Sequence, residues 1–169
     1  ALHMLGVIAA QSNDPVLAIE LMDRAIEVDP RIAAVHYHRG NALRTLMRYD
    51  DALSSYDRAV AIQPDYRGAL LGRALTLRSL GRLAEAVSAY DRLIAIDPGH
   101  VNALNNRGNL LKECGRLEEA LASYDSAIAL RPDQPDIHNN RGNLLRRMNR
   151  PDEALRSLDK AISLSPSMS

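Results

Sequence analysis

The chain has 169 residues, 46% of them hydrophobic and 25% charged, with 21 basic residues balanced against 21 acidic ones. That apolar content excludes a disordered chain, and the zero net charge argues against binding nucleic acid or a membrane surface by bulk electrostatics. Six Tyr with no Trp and no Phe are too few rings for a single-stranded nucleic-acid platform, so neither nucleic acid nor membrane is expected as a partner.

One cysteine, Cys114, excludes an intramolecular disulfide and a Cys-based zinc site. It falls in the mostly apolar column Ser12, Leu46, Leu80, Cys114, Met148, which predicts a buried structural thiol. No apolar run approaches a membrane span of roughly 20 residues. A cytoplasmic location is expected. The chain opens within its pattern at Ala1, so a fragment of a longer protein is expected too.

Proline recurs every 34 residues, at Pro30, Pro64, Pro98, Pro132 and Pro166. Ala18, Ala52, Ala86, Ala120 and Ala154 keep the same step, as do Gly6, Gly40, Ala74, Gly108 and Gly142. A fixed period of this length marks stacked units that bury their apolar faces against neighbours. The expected organisation is a single array with repeats at 1–32, 33–66, 67–100, 101–134 and 135–168, each a pair of helices.

The elements follow in chain order. In the first repeat, His3, Val7, Ala10 and Gln11 share the side of the first helix away from the core, and Asn13 marks the turn. In the second, Tyr37, His38, Asn41, Arg44 and Thr45 take that side. Its turn carries Met47, which adopts the left-handed helix end less readily than Gly or Asn, so a different turn is expected there. The third repeat breaks the polar series with Gly68, Leu71, Gly72, Leu75 and Arg78, and turns at Gly81. The fourth offers Asn102, Asn105, Asn106, Asn109, Lys112 and Glu113, and turns at Gly115. The fifth offers Asp136, Asn139, Asn140, Asn143, Arg146 and Arg147, and turns at Asn149. Second helices end before Asp97-Pro98 and Arg131-Pro132, because a residue preceding proline is pushed out of the helical region.

Two charged columns run through the array. Arg39, Arg73, Arg107 and Arg141 precede the small column, with Leu5 in the first repeat, and Asp23, Asp57, Asp91, Asp125 and Asp159 lie on the second helices. An Arg near a helix seam needs a partner. Each Asp is expected to bridge to the Arg of the following repeat, as Asp57 to Arg73.

These columns resemble the tetratricopeptide repeat (TPR) family. Leu104, Gly108 and Leu111 on a first helix, with Ala120, Tyr124, Ala127 and Pro132 after it, carry the likeness. The resemblance implies an all-α fold, a right-handed superhelical solenoid of five helix-turn-helix hairpins, whose first helices line a concave peptide-binding groove. It also implies a protein or peptide partner rather than a small-molecule substrate. The run Asn-Asn-Arg-Gly-Asn-Leu-Leu at 105–111 and again at 139–145 further resembles the TPR arm of O-GlcNAc-transferase-like proteins. By that likeness Asn106 and Asn140 would contact a substrate backbone, with Asn41, Asn109 and Asn143 alongside. Chaperone-carboxylate binders match only at Asn41.

Asparagine both donates and accepts, which suits an extended backbone. Arg44, Arg78, Lys112 and Arg146 beside it would draw acidic partners. Leu71 and Leu75 would hold an apolar side chain. His36 and His38 lie two residues apart on a helix and face different ways, and nothing assembles a nucleophile with a base. Neither an enzyme, a metal site nor a cofactor is expected in this chain. Self-association is a further expectation, since Leu155, Leu158 and Ile162 of the last repeat would lie partly exposed.

Overall fold

A computed structural model describes residues 1–165; Pro166 and the residues after it lie outside the described part. Every regular element described is a helix, in the order α1 (Leu2–Gln11), α2 (Pro15–Val28), α3 (Ala33–Thr45), α4 (Tyr49–Ile62), α5 (Arg67–Ser79), α6 (Leu83–Ile96), α7 (Val101–Glu113), α8 (Leu117–Leu130), α9 (Pro135–Arg147) and α10 (Pro151–Leu164). Consecutive helices pair as α1 with α2, α3 with α4, α5 with α6, α7 with α8 and α9 with α10. The chain forms two compact units, one spanning Ala1–Ile96 and the other beginning at Asp97.

The same hydrogen-bond pattern closes every first helix. The residue after the cap donates to the carbonyl three back, and the next donates five back: Gly115 to Lys112 at 3.2 Å, and Arg116 to Leu111 at 2.9 Å. This double closure requires a left-handed residue, and satisfies carbonyls that the helix leaves open. Gly81, Gly115, Asn13 and Asn149 supply it. So does Met47, at φ 57°, donating to Arg44 O at 3.0 Å while Arg48 donates to Leu43 O at 2.9 Å. The expectation of a different turn at Met47 is therefore overturned. The two backbone bonds hold the conformation, and the Met side chain is 74% exposed.

The small column on the first helices faces a column of large, deeply buried residues on the second. Tyr56, Tyr90, Tyr124 and Met22 are fully buried. A Cβ on Gly108 would stand 2.6 Å from Cε1 of Tyr124, and one on Gly40 would stand 2.8 Å from Cε1 of Tyr56. In the fifth repeat the counterpart is Leu158, 2.7 Å from a Cβ on Gly142. Glycine thus does more than bring two backbones together: it admits the ring of the opposite helix. Ala120 and Ala127, fully buried, complete the close contact.

Within each unit the charged columns meet as expected. Arg39 Nε donates to Asp23 Oδ1, Arg73 Nε to Asp57 Oδ1, and Arg141 Nε to Asp125 Oδ1, each at 2.6 Å. A third party is absent from the sequence-based expectation. Arg39 Nη1 also donates to Ser55 Oγ at 2.8 Å, Arg107 to Ser123 at 2.7 Å and Arg141 to Ser157 at 2.6 Å. Arg39 and Arg141 therefore each tie the preceding second helix to the second helix of their own hairpin.

Cys114 is exposed, contrary to the expectation of a buried thiol. It caps α7, where the helix turns away from the core. His36 and His138 are buried and packed. Each donates from Nε2 to the carbonyl of the proline six residues earlier, Pro30 and Pro132, at 2.8 Å. Among the described residues no helix is long and apolar enough to cross a membrane.

Candidate peptide-binding face

In the first unit, α1 lies against α3 and α3 against α5, so equivalent positions form rows. One row is His3, Tyr37, Leu71; the next is Val7, Asn41, Leu75; a third is Ala10, Arg44, Arg78. Arg44 and Arg78 are exposed, and Tyr37, Asn41, Leu71 and Leu75 half-buried. Tyr37 is the hub of a ring cluster, with centroids 5.0 Å from Tyr66, 4.9 Å from His38 and 6.3 Å from Tyr56. His38 in turn stands 5.2 Å from His3.

The ring cluster explains why the third repeat abandons the polar series. A Cβ on Gly68 would lie 3.1 Å from the Tyr37 ring, and one on Gly72 2.5 Å from the Tyr56 ring. Glycine at both positions of α5 leaves room for tyrosines from α3 and α4. Burial, with the His3 charge second, pulls the His38 imidazole below its ordinary pKa. An open cleft of about 290 Å³ lies between α1 and α3, walled by Val7, Ala10, Pro15 and Ala42 with His38 and Asn41 beside them.

In the second unit, α7 lies against α9, and asparagines pair once across the two helices and once along α9. Asn140 Nδ2 donates to Asn105 Oδ1 at 3.0 Å, and Asn143 Nδ2 to Asn139 Oδ1 at 3.3 Å. Tyr124 donates its hydroxyl to Asn109 Oδ1 at 2.7 Å, as Tyr56 does to Asn41 Oδ1 at 2.7 Å. Burial, with Glu113 second, pushes the Tyr124 hydroxyl far above the usual tyrosine range, so it stays a donor. Asn41 and Asn109 therefore present mainly their NH₂ groups outward. Asn102 and Asn139 are exposed, Asn106 is half-buried with no side-chain hydrogen bond among the described residues, and Lys112 and Arg146 flank the face.

Sequence reasoning grouped these residues by helix side and missed how the tyrosine hydroxyls consume two of the amides. The signal was present: Tyr56 follows Asn41 by 15 residues, as Tyr124 follows Asn109. It also missed the role of Gly68 with Tyr37 and Tyr66, and the cleft walled by Pro15 and Ala42.

Family models described as tetratricopeptide repeat match residues 3–67 and 39–101, 89–122, and 135–168, and one described as TPR repeat matches 108–149. The chain belongs to the tetratricopeptide repeat family. None of the curated proteins compared with it matches. Solved structures share the fold at low identity. A crystal structure of MamA aligns at TM-score 0.91 and 19% identity, over 95% of this chain and 94% of its own. MamA 41-end from Desulfovibrio magneticus RS-1 aligns at 0.91 and 18%, over 99% and 95%. YrrB, described as a TPR protein with an unusual peptide-binding site, aligns at 0.87 and 22%, over 99% and 86%.

Proposed function

We propose that this chain is a protein-interaction scaffold that takes an extended peptide segment on the faces of its first helices. The observation that carries the reading is the paired asparagine face of α7 and α9. Asn105 and Asn140 lock each other in place, leaving one NH₂ and one carbonyl oxygen directed by a fixed geometry, and Asn106 adds an amide with no side-chain hydrogen bond among the described residues. Pre-positioned amides of both polarities match the alternating N–H and C=O groups of an extended backbone at little ordering cost. The flanking Lys112 and Arg146, with Arg44 and Arg78 on the first unit, favour acidic segments. The likeness to YrrB supports the same reading, because that protein is described as having a peptide-binding site.

Selection from a displayed library of random peptides tests the proposal. The protein should enrich binders, and Asn106→Ala with Asn140→Ala should weaken them about tenfold or more with unchanged helicity, as expected for lost polar contacts. Failure to enrich, or equal binding by the double variant, sinks it. An arm that recruits substrate for a glycosyltransferase would use the same face. Self-association is a second reading, favoured by Leu155 and Ile162 of α10, which are 60% and 61% exposed. Light scattering over a concentration series tests it, and a constant monomer mass rules it out.

A further inference from the structure

Three of the five histidines have a packing role that occupies a ring nitrogen. His36 and His138 bond through Nε2 to the carbonyls of Pro30 and Pro132, and His100 accepts from the Ala103 amide at the start of α7. His3 and His38 make no side-chain hydrogen bond among the described residues, and Nε2 of His3 is buried without a partner. A buried ring nitrogen left open in this way calls for a reason. His3 on α1 and His38 on α3 meet each other instead, with centroids 5.2 Å apart and ring planes tilted by 47°. The repeat hides this pair, because His3 keeps the column of Tyr37 and His38 that of Met4. The contact runs diagonally between the first two hairpins.

The spacing of the two rings matches that of a pair sharing one ion. A bond of about 2.0–2.1 Å from zinc to an imidazole nitrogen puts each ring centroid about 3.2 Å from the metal, so two rings at the tetrahedral angle stand about 5.2 Å apart. Burial and the His3 charge favour the neutral form of His38, which is the form that binds metal. The helices α1, α3 and α5 carry no Asp or Glu. They therefore offer nitrogen ligands rather than hard carboxylate oxygens, which suits zinc and its first-row neighbours and not calcium or magnesium. His38 also borders the open cleft of about 290 Å³ between α1 and α3, which gives an ion a way in and leaves room for water to complete its coordination. We propose that His3 and His38 form a two-histidine site for a divalent first-row transition-metal ion, of the class of zinc or cobalt. Such an ion would fasten α1 to α3, and with it the first hairpin to the second, whatever the face of the array binds.

Titration calorimetry of the whole chain with zinc tests this directly. One ion should bind per chain. His3→Gln and His38→Gln should each weaken it about tenfold or more, whereas His100→Gln, in the second unit, should leave the affinity within about twofold. Zinc at about one hundred times its dissociation constant should raise the thermal midpoint of the unsubstituted protein by about 3–6 °C. A second measurement needs no variant and so does not depend on one folding. Cobalt added to the unsubstituted protein should shift the ring-proton resonances of His3 and His38 ahead of those of His36, His100 and His138. Absence of zinc heat and of cobalt shifts at millimolar metal overturns the proposal. So does binding that survives both His3→Gln and His38→Gln, or cobalt shifts centred on another histidine.

Discussion

Replacing Met47 by glycine is expected to stabilise the protein, although it deletes a large apolar side chain. Met47 sits at φ 57°, where an L-residue bears a cost of about 1–2 kcal/mol. Glycine removes that cost and adds about 0.5–1 kcal/mol of unfolded-chain entropy. The backbone bonds to Leu43 and Arg44 survive, and a side chain 74% exposed forfeits little packing. The net gain is about 0.5–1 kcal/mol. For a chain of this size that raises the thermal midpoint by about 1–4 °C, readable by circular dichroism. Gly115→Ala is the mirror experiment. A Cβ there meets nothing within 4 Å, but φ is 77°, so the change should cost about 1 kcal/mol by conformation alone. A midpoint for Met47→Gly that is unchanged or lower would refute the reasoning, because the packing lost with so exposed a side chain is too small to offset the conformational gain.

Gly108→Ala should cost about 1–3 kcal/mol by overpacking, since its Cβ would stand 2.6 Å from a fully buried Tyr124 ring; urea unfolding should show a larger loss than for Gly115→Ala. Asp125→Asn should cost less than about 1 kcal/mol, because the Asp125 side chain in its pair with Arg141 is half exposed and such pairs contribute little; a calorimetric loss well above that would show that the Arg141 bridge to Ser157 depends on it. Stability should also depend on the protonation of His38. Its pKa is lowered in the folded state by burial and by His3, so below the ordinary histidine value the unfolded chain binds more protons than the folded one. The contribution is present above about pH 6.5 and is lost as pH falls through the folded value. The thermal midpoint should drop over that window, and His38→Gln should flatten the drop; a variant with the same slope would contradict the assignment.

The hairpins were legible because their causes are local and repeated. Five columns at one period fix where helices turn, and the Arg and Asp columns predicted the bonds of Arg39, Arg73 and Arg141. The serine column that shares those arginines keeps the same period and could have been found. Cys114 was misjudged because its column is apolar on average, yet the position caps a helix and points outward. Met47 was misjudged because side-chain preference was weighed without the two backbone bonds that decide the conformation. On the face itself, sequence could place Asn41 and Asn109 but could not say which amide atoms would meet a tyrosine hydroxyl. That depends on how deeply the tyrosine ring sinks over its glycine.

The seam arginines also set how the array comes apart. Arg39 grips helices from two successive hairpins, so melting either one withdraws bonds from the other, and those two hairpins open together rather than fraying singly. In the third hairpin the serine position holds Ala89, so Arg73 has Asp57 to grip and no hydroxyl at that position of its own second helix. A single hydroxyl thus decides whether a seam arginine joins two successive second helices, as Arg39 does, or holds the preceding one alone, as Arg73 does.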